Sequence, residues 1–193
     1  MRTAPVGVLY PSGRLDQLIQ GAYECAIPTH GGQLALCAAA AVASAVSAAL
    51  DGWPSLEVLT LAITASKEAE RLRPCAEASI AASIQEIHSN LAKSGHLAVD
   101  EIADRFFPDK PQTIVPLAIS LALLTHSAQE TALLAANIGG DSDSVASIGG
   151  AIAGAMHPET VNQEWFEVVD RINDAPLLDM ATSLAALRHT GDQ

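Results

Sequence analysis

The sequence predicts an all-α fold, and three observations carry that prediction. Apolar residues recur at helical spacing in one segment after another, and no run alternates apolar and polar residues as a half-buried strand would. Proline, glycine and Ser-Gly clusters punctuate those segments at intervals suited to helices. Hydrophobic residues make up 49% of the 193-residue chain but aromatic residues only 4%, so the core must come from helices approaching closely through alanine rather than from large rings. That length suits a single domain spanning residues 1–193.

Each helix then has a local reason. After an irregular start ending near Pro11-Ser12-Gly13, the spacing of Leu15, Leu18, Ile19 and Ala22 predicts a helix over residues 14–26, interrupted by Pro28. An alanine-rich helix runs from Gly32 to Leu50 and stops at Asp51-Gly52. It is shorter than a span of ~20 residues and is mostly Ala and Ser, so it reads as a buried bundle helix rather than a membrane crossing. Trp53-Pro54 restarts the chain, and Ser55 is placed to cap a helix running to Leu72. Pro74 suits the first turn of a helix over residues 75–92, with Ile80, Ile84, Ile87 and Leu91 on one face and Lys93-Ser94-Gly95 at its end. A short helix follows near residues 98–106, then a break at Pro108–Pro111. Thr113 is placed to cap the next helix, with Pro116 tolerated in its first turn and an end near Thr125-His126. Ser127 and Glu130 form a capping box for a helix to Asn137. Helices over 145–156, 162–173 and 176–188 complete the series.

Ten basic residues against 22 acidic ones give a formal charge of −12, which repels the phosphate backbone that nucleic-acid binders must neutralise. No nucleic-acid or membrane partner is therefore expected. Cys25, Cys37 and Cys75 are odd in number and lack C-x-x-C spacing, which reads as reduced core thiols of a cytoplasmic protein. No apolar run precedes Pro11 as a signal peptide would require. His88, His96, His126, His157 and His189 show no ligand-like clustering and read as surface or satisfied structural histidines.

One stretch concentrates charge beside glycine and hydroxyl groups: Asn137-Ile138-Gly139-Gly140-Asp141-Ser142-Asp143-Ser144. Two carboxylates and a hydroxyl within one turn are hard oxygen donors of the kind Mg²⁺ takes, and the glycines admit backbone conformations closed to other residues. The competing reading is plain: Asp143 or Ser142 caps the helix that follows, and local pattern alone favours it. An EF-hand loop is excluded, because Val145, Ala146 and Ile152 occupy positions that would need a ligand, a glycine and a glutamate. Gly149, Gly150 and Gly154 each cost about 1 kcal/mol of helix propensity relative to Ala, which points to another backbone packed tightly there.

The segment "TIVPLAISLALLTHSAQETALLAANIGGDSDSVASIGGAIAGAM" resembles the C-terminal part of the ADP-ribosylglycohydrolase family, in its "VP-A" helix start, its "A-N-x-GGD-[ST]-D-[ST]" loop and its small-residue helix. "MRTAPVGVLY" is similar to the family's "MR-x-x-P-x-G" stretch, and "PTHGGQLALCAAAAVASAV" to its "TH" motif entering an alanine-rich helix. The resemblance implies a multi-helix orthogonal bundle. It also implies Mg²⁺-dependent hydrolysis of a glycosidic bond to ADP-ribose or a related ribosyl compound, with two Mg²⁺ ions. By this likeness Asp141, Asp143 and Ser144 are metal ligands, Ser144 standing where Thr is more usual. His30 lies near the bound ADP-ribose, and Asn137, Gly139 and Gly140 shape the loop on the substrate side. Without the likeness, His30 reads as a helix-start histidine bonded to backbone, and Thr29 as a plain N-cap.

The family's earlier half carries a "GD" element and a "T-D-D-T" metal motif. This sequence has no Asp-Asp pair, and its Gly191-Asp192 comes in the wrong order. The chain thus corresponds to the C-terminal half of the family's catalytic domain, and the resemblance implies a partner: an N-terminal half in trans, a second copy, or a longer parent from which this is a fragment. Alone it is expected to be weakly active or inactive. The alternatives are a non-catalytic ADP-ribose-binding or structural subunit, or an unrelated acidic helical module in which the loop is only a cap.

Overall fold

The computed structural model describes residues 1–72, 79–174 and 176–190. Eleven α-helices and one 3-10 turn are present among them, with no strand. The helices are α1 (Ala4–Leu9), α2 (Leu15–Ala26), α3 (Gln33–Leu50), α4 (Ser55–Leu72), α5 (Ile80–Ser94), α6 (Val99–Phe106), α7 (Pro111–Thr125), α8 (Ala128–Asn137), α9 (Ser142–Met156), α10 (Gln163–Asn173) and α11 (Leu177–Thr190). The short turn Pro158–Thr160 joins α9 to α10. The all-α expectation holds. Pro74, Cys75 and Asp192, together with the His189 side chain, lie outside the described residues.

Helix α3 is the axis of the bundle. Leu36 through Ala49 are buried without a break, which small Ala, Ser and Val side chains permit because neighbouring helices can approach from every side. It is long and apolar enough to cross a membrane by length and composition, and it is mostly buried inside the bundle. Cys37 is buried in it, and Cys25 is half-buried in α2. Helix α7 is enclosed in the same way, with Val115 through Leu123 all buried.

Helices α7 and α9 run parallel, with α8 returning between them. Their starts are joined by the Asp141 N–H donating to Pro108 O at 2.8 Å. At their ends His126 and His157 meet edge to face, with ring centroids 5.7 Å apart. The close approach within this layer is at Gly149, where a Cβ would lie 2.8 Å from Thr131 Cγ2 and 3.2 Å from Ala118 O. Gly150 and Gly154 have no such neighbour, so the expected tight backbone contact belongs to the first of the three alone.

Several expectations are corrected. The irregular start contains α1, which folds despite Pro5 and Gly7 because it lies on α3: a Cβ at Gly7 would come within 2.4 Å of Ala43 O. Helix α5 begins its described course at Ile80 with Ser79 at the N-cap position. Helix α7 starts at Pro111, ahead of Thr113, whose hydroxyl accepts from the Asp109 and Lys110 N–H groups at 3.3 and 3.4 Å. Pro116 therefore stands in the second turn, and Ser120 donates to its carbonyl at 2.7 Å. Ser127 does cap α8, accepting from the Glu130 N–H at 3.2 Å.

The histidines also differ from expectation. His88 Nδ1 and His157 Nε2 are buried with no hydrogen-bond partner among the described residues, and burial pushes the His88 imidazole below its ordinary pKa. His126 and His157 are brought together rather than scattered.

The C-terminal helices are held differently from the rest. Helix α10 has no buried residue and exposes Trp165, Val168, Val169 and Ile172. Helix α11 exposes Leu177, Leu178, Met180 and Leu187 but sends Arg188 into the bundle, where it is buried. Its Nη1 donates to Gly7 O, Val8 O and Tyr10 O at 2.8, 3.1 and 2.7 Å. Its Nη2 donates to Ser47 O, Ser47 Oγ and Asp51 Oδ1 at 3.3, 3.2 and 2.5 Å. Asp51 accepts in addition from the Ser12 N–H and hydroxyl at 2.8 and 2.6 Å.

Candidate functional site

The loop between α8 and α9 is shaped by its two glycines. Gly139 and Gly140 have φ of 85° and 60°, in the left-handed region that L side chains rarely adopt. A Cβ at Gly140 would also lie 2.6 Å from Pro108 O and 3.1 Å from the Phe107 ring, so the α6–α7 connection closes over the back of the loop. Phe107 and Pro108 carried no signal of this in the sequence, because the contact joins segments about thirty residues apart.

Helix α9 begins at Ser142, three residues before the expected 145, and this changes what the aspartates do. Asp141 occupies the N-cap position but makes no side-chain cap hydrogen bond. Asp143 stands inside the first turn, exposed, and Ser144 follows it, buried. The capping reading of Asp143 or Ser142 is therefore not what the chain adopts, and the Asp141 carboxylate is left for something else. Carboxylates at the start of a helix are favoured by its dipole without needing a cap bond.

Beside the loop is a cavity of about 420 Å³. Its apolar wall comes from Ala35, Ala38 and Ala39 of α3, Ile114 and Val115 of α7, and Ile148 of α9. Its polar groups come from Arg2, Thr3, Thr29, His30 and Ser144. Three buried helices thus present their first two turns to one space, and the free N–H groups and partial positive charge of helix starts favour an anion there. The Met1 amino group, also at this wall, is pushed below its ordinary pKa chiefly by burial and then by Arg2. Asp141 acts on it in the opposite direction, and in the chain it stands three residues before Ser144, which lines the cavity.

His30 lines the cavity, outside α3, with Nδ1 2.8 Å from Thr29 Oγ1 and its own N–H donating to Ala26 O at 2.8 Å. Thr29 is not a cap, since Gly32 holds that position for α3 without any side-chain bond. Asn137 is exposed, and its side-chain amide donates to Leu133 O at 2.7 Å, back along its own helix. Of the residues singled out in the sequence, His30 and Ser144 come together at the cavity, Asp141 stands beside it, and Asn137 is turned onto α8. Arg2 and Thr3 are additions. Among the described residues no group of three or more His, Cys, Asp or Glu side chains is placed to hold a metal ion.

Comparison with known proteins decides the family. The ADP-ribosylglycohydrolase family matches over residues 1–193. The chain belongs to the ADP-ribosylglycohydrolase family. It is similar to Uncharacterized protein YegU of Escherichia coli (strain K12), at 30% identity over 196 residues. That similarity covers 97% of this chain and 58% of the relative, so the chain spans little more than half the length of that protein.

Proposed function

We propose that this chain supplies one wall of an ADP-ribosylglycohydrolase site, which hydrolyses a glycosidic bond to ADP-ribose or a related ribosyl compound in the cytoplasm. One observation carries the reading: an acidic loop whose N-cap carboxylate makes no cap bond stands at the edge of a cavity onto which three helix starts open. The helix starts, Arg2 and His30 suit the anionic diphosphate of such a ligand. Asp141, Asp143 and Ser144 fit Mg²⁺, being hard oxygen donors clustered in one turn, with the Asp141 carboxylate not spent on capping. A Mg²⁺ ion bound there would polarise the ribose hydroxyls and the attacking water. Asn137, Gly139 and Gly140 would set the loop's shape.

With two carboxylates and one hydroxyl the donor set is incomplete, which supports a source for the rest outside these residues: a separate N-terminal half, a second copy, or another part of a longer parent chain. The purified chain alone is expected to release ADP-ribose from a modified protein slowly or not at all; release at rates ordinary for the family would overturn the need for a partner. Titration calorimetry with Mg²⁺ and ADP-ribose should show metal-dependent binding that Asp143→Ala abolishes. Equal binding by both proteins would overturn the metal role of the loop.

A further inference from the structure

We propose that Arg188 is a positioning residue for the cavity: by binding the carbonyl end of α1 it fixes the Arg2–Thr3 wall at the other end of that helix. The inference rests on the cavity being the ADP-ribose site.

Helix α1 has six residues, too few to hold a helix by its own hydrogen bonds. Its last carbonyls have no partner within the helix, and buried carbonyls left unpaired are costly. Arg188 answers that demand from the far end of the chain, with one guanidinium nitrogen reaching Gly7 O, Val8 O and Tyr10 O together. The second nitrogen holds Ser47 and Asp51 at the end of α3. A planar group therefore locks the end of α1 to the end of α3, and the seat of Gly7 on Ala43 prevents the short helix from sliding.

Thr3, at the N-cap position of α1, is buried, and with Arg2 it lines the cavity. At ~1.5 Å rise per residue, the Arg188 contacts lie about 6–11 Å from Thr3 along the helix. Loosening of the carbonyl end therefore reaches the cavity within about two turns. No described residue of α11 lines the cavity, so a change at Arg188 reaches it through the helix ends that Arg188 holds, closely through α1 and from the far end through α3. Lysine keeps the charge but lacks the fork that reaches both helix ends.

Hydrogen exchange on the full chain, with and without Mg²⁺ and ADP-ribose, tests this with Arg188→Gln and Arg188→Lys. Amides of residues 6–10 should exchange about tenfold faster in Arg188→Gln, with α5 and α7 unchanged and Arg188→Lys intermediate. The ADP-ribose Kd should rise about tenfold in Arg188→Gln, and saturating ligand should restore α1 protection, as linkage requires. Unchanged exchange in α1, equal loosening of α1, α5 and α7, or an unchanged Kd would each overturn the proposal. An unsubstituted chain in which ADP-ribose protects neither Arg2–Thr3 nor His30 would instead overturn the reading of the cavity, and the two failures are distinguishable because this one is seen without any substitution.

Discussion

At the start of α9 a carboxylate holds the N-cap position without bonding to the helix it precedes, while at the end of α3 the Asp51 carboxylate accepts from Ser12 twice and from Arg188. The same residue type thus serves opposite ends of one bundle in opposite ways. At the Asp51 end, hydrogen-bonding capacity is spent within the fold, and the return is the joining of three chain segments. At the Asp141 end, polar groups gather beside a cavity and are kept available. A polar group left open beside a cavity costs stability or contributes none, so it marks the end where a ligand belongs.

The contrast can be broken hardest at Gly7. A Cβ there meets Ala43 O, a backbone atom that cannot move aside, and Gly7→Ala should lower the unfolding free energy by about 3 kcal/mol in urea denaturation. Asp51→Asn should cost about 2 kcal/mol in the same measurement, because Arg188 and Ser12 lose a charged acceptor.

The Asp51 pair also predicts a pH dependence. Burial alone raises the Asp51 pKa, but the hydrogen bonds from the Ser12 hydroxyl, Arg188 and the Ser12 N–H outweigh it and hold the carboxyl below 3.8. A depressed carboxylate pKa contributes stability that is present above 3.8 and lost as pH falls through the lower folded value. Asp51→Asn should lack that acid limb; an identical limb in both proteins would assign it to other carboxylates.

Within α9 the effects should be smaller and of opposite sign. Gly150→Ala should stabilise by up to about 1 kcal/mol, since the added methyl meets nothing within 4 Å and the helix propensity improves. Asp143→Asn should change thermal stability least, by less than about 1 kcal/mol from the lost helix-start charge, while removing Mg²⁺-dependent ADP-ribose binding. A large stability loss in Asp143→Asn would mean that this carboxylate is spent within the fold after all, and the contrast between the two ends would fail.

Much of the fold was legible because its signals are local. Helix α4 ends at Leu72 as expected, though Ser55 is its first helical residue rather than its cap, and α8 is capped by Ser127 as its spacing indicated. Helix α1 was not legible, because six residues with Gly7 among them give too weak a local signal and packing on α3 is what holds them helical. The acidic loop was visible as a motif, but its choice between cap and open site turned on where α9 begins, a matter of three residues. The Arg188 contacts could not be read at all, since its partners lie 137 to 181 residues away and nothing near Arg188 in the chain hints at them. The cavity was invisible for the same reason, being a property of how three helices stand side by side.

Those three helix starts have a kinetic consequence. The chain carries a net charge of −12, so an anionic ligand is repelled while it is still distant and attracted only once it reaches the cavity mouth. Added salt shortens the reach of the repulsion first, because the Debye length at 0.1 M is about 10 Å. Ligand capture should therefore quicken with moderate ionic strength even as the final hold weakens, a salt response opposite in sign to that of a basic protein collecting the same ligand.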